Sequence, residues 1–332
     1  MDQQVLRDVV EQAARAPSIH NTQPWRFVTR DNTIEVWTDP TRGLAVLDPT
    51  GRARHLSCGA ALLHARVAAA GVGYAGTVST LPVPEQPEHL ADLRLDGAVR
   101  PAPEDSALTG AIAKRRTTRA SFTDEKVPDE ALAALRRAAE VEGCWLRIVA
   151  SSEDAVAVAV LLARADELEA ADPAYRDELR RWTGPGDRGT DGVPVSAVPE
   201  VPPPSHRGSN YRLRDFVADR DSVEAGPMSQ DPRPVERPMV AVLGTPDDDV
   251  LSWLAAGQGL GRLLLTAAAR GVTASPMTQP LEIPDTRQRL ASELGLLGHP
   301  QMILRLGYAP HGEAPATPRR PVEEILTEEA PT

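Results

Sequence analysis

The sequence predicts an α+β fold made of two tandem copies of one unit, and three observations predict it. First, helical and strand periodicities alternate along the chain instead of one of them dominating. Second, pieces recur in the same order. "VVEQAARAPSIHNTQPWRFV" is matched by "ALRRAAEVEGCWLRIV", "CGAALLHARVAAAGV" by "GQGLGRLLLTAAARGV", and "LRLDG" by "LRLGY". Third, 332 residues of which 41% are hydrophobic suffice for one large core or two moderate ones. Chance likeness of Ala-rich amphipathic helices is the competing reading, and the shared order of the pieces speaks against it.

Val5, Leu6, Val9, Val10 and Ala13 recur at helical spacing, and Pro17 disfavours helix at the residue before it, so the first helix ends near Arg15. "WRFVTRDNTIEVWT" is rich in β-branched and aromatic residues around the turn pair Asp31-Asn32 and predicts a hairpin. "HLSCGAALLHARVAAAGV" predicts a buried helix ending at Gly71, followed by strands at 74–80 and 91–96. In the second copy the helix-to-strand step is shorter: Ala139 to Trp145 spans 6 residues where Ala14 to Trp25 spans 11. In the long-helix pair, Gly59 to Gly71 and Gly259 to Gly271 are both twelve apart. These matches divide the chain into residues 1–100 and 101–332.

An insertion, roughly 172–237, precedes the strand "PMVAVLGT". Its length and its Pro and Gly content suit a lid or surface arm, with a plain linker as the alternative. Trp182, Tyr211 and Phe216 favour docking onto the body, because disordered segments are poor in aromatics.

The formal net charge of −11 gives no basic surface for nucleic acid or anionic lipid, although local arginines can still hold a small anion. Cys58 and Cys144 lack the spacing of a disulfide framework or a zinc site, so no metal is expected. The N-terminus has no basic region followed by an apolar core, and no run of eighteen apolar residues occurs. These features predict a soluble, cytoplasmic chain. His55 and His64 fall nine apart on one helix, which is not ligand spacing, and "GQGLG" lacks the context of a dinucleotide fingerprint and reads as helix packing.

Two stretches carry polar chemistry. "RAPSIHNTQPWRF" gathers Pro17, Ser18, His20, Asn21, Gln23, Pro24 and Trp25 in a loop that the second copy drops, so folding does not need it. Its amides and hydroxyl match the edge of a planar heterocycle, and an Asx-type turn over a buried Trp25 is the plainer alternative. "AKRRTTRASF" sets Arg115, Arg116, Thr117 and Arg119 at a helix end. Arginine takes phosphate oxygens in bidentate fashion, although arginines there also simply complement the helix dipole. Arg319 and Arg320 form a second basic pair.

These residues resemble the nitroreductase superfamily of FMN-dependent oxidoreductases over most of the chain outside 172–237. Arg115, Arg116, Thr117 and Arg119 match the family's "RRS.R" phosphate motif, Arg319 or Arg320 its C-terminal base, and Pro17, Ser18, Asn21, Gln23, Pro24 and Trp25 its "PSS.N.QPW" loop. "GVTASPMTQPLE" matches "GL.S.P..G", whose backbone amides face the flavin N5 and O4, and this places Pro276, Met277, Thr278 and Gln279 there. The usual glycine is Gln279 here, although glycine is the residue that lets backbone come near a ligand. The phrase "APS.HNTQPWRF" is most similar to the double-domain Acg-like subgroup of NAD(P)H nitroreductases, in which a lid covers the flavin.

The resemblance implies a nitroreductase-like fold in two degenerate copies, an intramolecular pseudo-dimer that is a monomer with one FMN. The first half supplies the ring loop and the second the phosphate clamp. The opposite site would need an "RRS.R" before Arg7 and a loop after Ala139, and neither is present. The implied activity is hydride transfer from NAD(P)H through FMN to a nitroaromatic, quinone or enone. The alternatives are a protein that stores FMN beneath a lid, with no small-molecule substrate, and a specialised dehydrogenase of a biosynthetic pathway. His20 is the one histidine beside the proposed flavin and is a candidate proton donor or a packing residue.

Overall fold

The computed structural model describes residues 1–119, 122–184, 189–197, 214, 238–309 and 315–329. Helix α1 (Gln3–Ala13) starts where the Asp2 carboxylate accepts from the Gln4 amide, and it buries Leu6, Val9, Val10 and Ala13. Strands β1 (Trp25–Arg30) and β2 (Thr33–Thr38) form the expected hairpin, with Asp31 turning at φ 54°. Helix α2 (Arg52–Gly71) is capped by the Asp48 carboxylate, which accepts from the Ala53 and Arg54 amides, and it is buried on nearly every side. Strands β3 (Tyr74–Thr80) and β4 (His89–Ala98) follow, and all neighbours in the order β1-β2-β4-β3 pair antiparallel.

Helix α3 (Pro103–Ile112) buries Leu108, Ala111 and Ile112 in the core of this first sheet. The order then repeats. Helix α4 (Asp129–Glu140) leads to β5 (Trp145–Val149), after which come α5 (Ser152–Ala171), α6 (Pro173–Trp182) and two short strands, β6 (Thr183–Gly184) and β7 (Val193–Pro194). Next are β8 (Met239–Thr245), α7 (Val250–Ala269), β9 (Thr273–Pro276), α8 (Gln279–Glu282), α9 (Pro284–Glu293) and β10 (His299–Gly307). The second sheet runs β5-β8-β10-β9, again all antiparallel. Strand for strand this is the order of the first sheet. Helix α10 (Val322–Ile325) and strand β11 (Leu326–Glu328) return to the first sheet, where β11 pairs in parallel with β1.

Helices α2 and α7 cross at bare backbone. A Cβ on Gly59 would lie 2.3 Å from the Leu254 carbonyl oxygen, and one on Gly257 would lie 2.0 Å from that of Leu56. These contacts are reciprocal: Leu56 and Leu254, Gly59 and Gly257, and the helix starts Arg52 and Val250 are each 198 positions apart, as in a two-fold interface. The positive-φ glycines after the two helices, Gly73 and Gly271, keep the same spacing. The sequence matching of Gly59 with Gly259 and of Gly71 with Gly271 is therefore two residues out of register. The reason is physical: Gly71 makes room for Thr109 and Gly259 for Cys144, so each looks like a repeat position while serving a different neighbour.

The extra chain of the second unit also starts earlier than its composition suggests. Two residues join β1 to β2, whereas everything from α5 onward separates β5 from β8. Helix α5 is apolar enough to pack Val158, Leu161 and Leu162 over the outer face of the second sheet, so Pro and Gly content does not mark it. Within 172–237, α6 docks on the first unit through Tyr175 and Leu179 against Leu44 and Leu47, and Trp182 packs there too, beneath Arg42. Tyr211 and Phe216 lie outside the described residues. Among the described residues no helix is long and apolar enough to cross a membrane, and no cluster of potential metal ligands occurs. Cys58 and Cys144 are free, and burial pushes both thiols up to about 12.

Candidate functional site

The loop between α1 and β1 is held by hydroxyls at both ends: Ser18 Oγ accepts from the Gln23 amide and Ser57 Oγ from that of Ile19. Inside it His20, Asn21 and Gln23 adopt φ of 44°, 55° and 49°. Three left-handed non-glycine residues in four positions are costly backbone, of the kind that surrounding structure must over-determine. The surroundings do so here. Asn21 Nδ2 donates to the carbonyls of Gly192 (2.9 Å) and Pro318 (3.1 Å), and its Oδ1 accepts from Arg319. Gln23 Nε2 donates to the Thr190 carbonyl at 2.8 Å, and its Oε1 accepts from the Arg320 amide. Pro24 and Trp25 lead into β1, and Trp25 is fully buried core.

The arginines converge from distant parts of the chain. Arg15, Arg115, Arg116, Thr117, Thr317 and Arg319 line a cleft of about 70 Å³. Arg115 is 7% exposed and donates to the Arg15 carbonyl through Nη2, while its Nε and Nη1 meet no acceptor among the described residues. Arg319 donates to the Asn21 side chain and to the carbonyls of Arg15 and Ala16, and its Nε is likewise unmet. Burial holds Arg115 down to about 10 and Arg319 to about 9, with Arg115 itself adding to the effect on Arg319. Among the described residues no carboxylate lines this cleft, so its cations are matched to an anion.

Of the two C-terminal bases it is Arg319 that reaches the cleft. Arg320 turns away to the Glu324 carbonyl and carboxylate. Thr117 bridges to Ala274 at the edge of the second sheet, and Arg119, held down to about 10 by burial, reaches the Ala197 carbonyl rather than the cleft. Arg15 is a cleft residue that the motif matching omits, although it opens the quoted loop stretch.

His64 on α2 is fully buried and lowered to about 3 by burial and then by Arg115. A histidine held neutral in the fold but free to ionise when unfolded stabilises the protein above about pH 6.5, and that stability is lost as the pH falls toward 3. His64→Leu is expected to flatten acid denaturation. At pH 4 the wild type should lose roughly 3 kcal/mol that the variant keeps, as read by urea titration at pH 4 and 7.

The segment after β9 meets the loop through Arg214, which bonds both Thr278 and His20. Met277 is core, its amide donating to the Ile303 carbonyl. Gln279 is buried and turns its side chain outward, Nε2 donating to Asp166 on α5, so the residue in place of the usual glycine points away from the loop side. Pro276 ends β9 opposite Leu304. Thr278 Oγ1 accepts from Arg214, whose Nη1 donates to His20 Nε2 at 2.9 Å. An arginine can only donate, so that ring nitrogen is the acceptor and His20 is neutral, in keeping with a pKa lowered by burial and then by Arg214. Donation of a proton from Nε2 is thereby blocked while Arg214 is in place.

Arg214 also meets Glu169 and Glu282, and its guanidinium lies over the Tyr175 ring. Sequence reasoning misses all four of these residues. They come from α5, α6, α8 and the long insertion, and no local spacing links them.

Comparison with known proteins adds relatives to this geometry. The model of the Nitroreductase family matches residues 112–308, more than half of the chain. A Mycobacterium tuberculosis protein named "Putative NAD(P)H nitroreductase Rv3131" is 37% identical over 98% of this chain and 92% of its own. A second from the same organism, "Putative NAD(P)H nitroreductase acg", is 33% identical over 97% of this chain and 95% of its own. Among solved structures, the FMN-dependent nitroreductase NfnB from Mycobacterium smegmatis in complex with NADPH aligns with a TM-score of 0.41. It is 20% identical, over 66% of this chain and 96% of that one.

Proposed function

The chain belongs to the nitroreductase family, and from that premise we propose that it is an FMN-binding oxidoreductase that carries hydride from NAD(P)H to an electron-poor small molecule such as a nitroaromatic, quinone or enone. The observation that supports this reading best is the pair of buried guanidiniums, Arg115 and Arg319, whose unmet N–H groups border one cleft with no carboxylate among its described lining residues. That donor set fits a phosphate monoester. When bound, FMN supplies hydride transfer at N5, and the protein supplies placement and electrostatics.

Arg15, Arg115, Arg116 and Arg319 would hold the phosphate. Ser18, Asn21 and Gln23 shape the loop wall, and Thr278 and Gln279 the opposite one. We read the two units as halves of a tandem that imitates a dimer, with one FMN per chain. The position that matches His64 at the 198-residue spacing is Arg262, and it is already paired with Glu142, which also binds Arg66. The corresponding second site is thus filled by its own ion pairs.

One observation favours storage over turnover. The described part of the insertion bonds directly to the loop through the Gly192 and Thr190 carbonyls, and Asp191 pairs with Arg42, which itself donates to the loop's Thr22 carbonyl. The test is the visible spectrum of the FMN-reconstituted protein under anaerobic conditions. Bleaching within seconds of adding NADH or NADPH is expected of a reductase. A flavin spectrum that yields to dithionite alone would assign the storage role, and no flavin spectrum at all would end the cofactor assignment.

A further inference from the structure

Apart from the arginine cleft, a dense set of buried charged groups sits beside Thr278. Glu169, Glu282 and Arg214 have side chains 7%, 4% and 6% exposed. The Glu169 carboxylate accepts from the Tyr175 hydroxyl at 2.9 Å and from Arg214 Nη2 at 3.3 Å. Glu282 Oε2 accepts from the same Nη2 at 2.5 Å. Thr278 Oγ1, at 3.4 Å, is a third acceptor for that one amino group, which has two hydrogens to give. Meanwhile Glu282 Oε1, fully buried, has no partner among the described residues. The recess therefore offers more acceptors than the tethered guanidinium satisfies, and it adds an aromatic face, Tyr175, at 5.7 Å from the guanidinium carbon.

The charge balance points the same way. Burial pushes Glu169 up to about 8, so at neutral pH it holds a proton, and the Arg214–Glu282 ion pair sets one negative charge against one cation. With Arg214 withdrawn, that charge would stay buried without a counter-ion, a costly state that any +1 group of the right shape relieves. A structural ion pair needs only one carboxylate. A second acid, an unfilled acceptor and an aromatic wall are the features of a site that recognises cations.

We propose that the recess of Glu169, Glu282, Tyr175, Thr278 and His20 is a recognition site for a guanidinium or ammonium group, and that Arg214 occupies it as an internal stand-in which a cationic ligand displaces. Joined to the oxidoreductase reading, on which its meaning as a substrate site rests, this gives the reducible substrate a positively charged arm. The binding itself does not depend on that reading.

The test uses the full chain and methylguanidinium as the probe, with sodium chloride at equal ionic strength as the control. Arg214→Ala is expected to bind methylguanidinium saturably by calorimetry and to gain thermal stability on binding. Its affinity should be at least about tenfold above that of the wild type, where the tethered arginine competes. Arg214→Ala/Glu282→Gln should show neither effect. Arg214→Gln, of similar length, is a second background held to the same outcomes if the alanine variant does not fold. No saturable response beyond the salt control, or an equal response after Glu282→Gln, would overturn the site and leave a structural ion pair. Flavin absorbance of the same samples separates the two readings: a chain that binds methylguanidinium but no FMN refutes the oxidoreductase assignment and not the cation site.

Discussion

Arg115→Met is expected to raise the stability of the FMN-free protein by about 1–3 kcal/mol while weakening FMN binding by roughly a hundredfold or more. The two signs have one cause. In the FMN-free chain Arg115 is a buried cation with one carbonyl partner and, among the described residues, no carboxylate in its cleft, and Arg116 stands close enough to disfavour its charge further. Methionine keeps the length and packing of the stem and removes the desolvated charge. With the anion bound, the same guanidinium gains the partner it lacks, and its loss costs a charge-assisted, bidentate contact. Thermal denaturation with and without FMN, together with a flavin fluorescence titration, reads both effects. A lower melting temperature for the FMN-free variant would show instead that the bond to the Arg15 carbonyl outweighs the buried charge.

The largest purely structural effect is expected at the crossing of α2 and α7. Gly257→Ala should cost about 3 kcal/mol or more, because the new methyl would lie 2.0 Å from the Leu56 carbonyl oxygen and 2.9 Å from the Ala60 nitrogen. Both obstacles are backbone of a buried helix, so no rotamer change relieves them, and the two helices must separate along their length. Gly110→Ala is the matched control. It lies inside α3 with nothing within 4 Å of its would-be Cβ, and should stabilise by about 0.5–1 kcal/mol through helix propensity alone. Urea denaturation of the two variants side by side checks the contrast, and equal effects would mean that the crossing tolerates an extra ångström.

What was legible in the sequence follows from where the information is local. The arginines after α3 and the residues of the α1–β1 loop lie close together in the chain, and their types announce anion and polar chemistry before any contact is known. The repeated order of helix, hairpin partner, long helix and antiparallel pair was also readable, since each element carries its own periodicity. The repeat register was not, because Gly257, Gly259 and Gly261 offer three closely spaced matches and only the helix contact selects among them. The choice between Arg319 and Arg320 depends on neighbouring side chains leaving an extended segment in different directions. The outward turn of Gln279 depends on Asp166, over a hundred residues away. The recess around Arg214 is illegible for the same reason in stronger form: single residues from separate elements, each unremarkable at its own position.

The return of β11 to pair with β1 sets Arg30 against Glu329, 299 residues apart in the chain. Synthesis proceeds from one end, so the first sheet waits with an open edge until β11 is made, and the cleft waits with it for the guanidinium of Arg319. Only when the 315–329 segment has cleared the ribosome do the edge close and the fourth cation arrive. Anion capture at that cleft thus depends on chain made long after the first sheet, and on the FMN reading a chain stopped before Arg319 is expected to stay colourless.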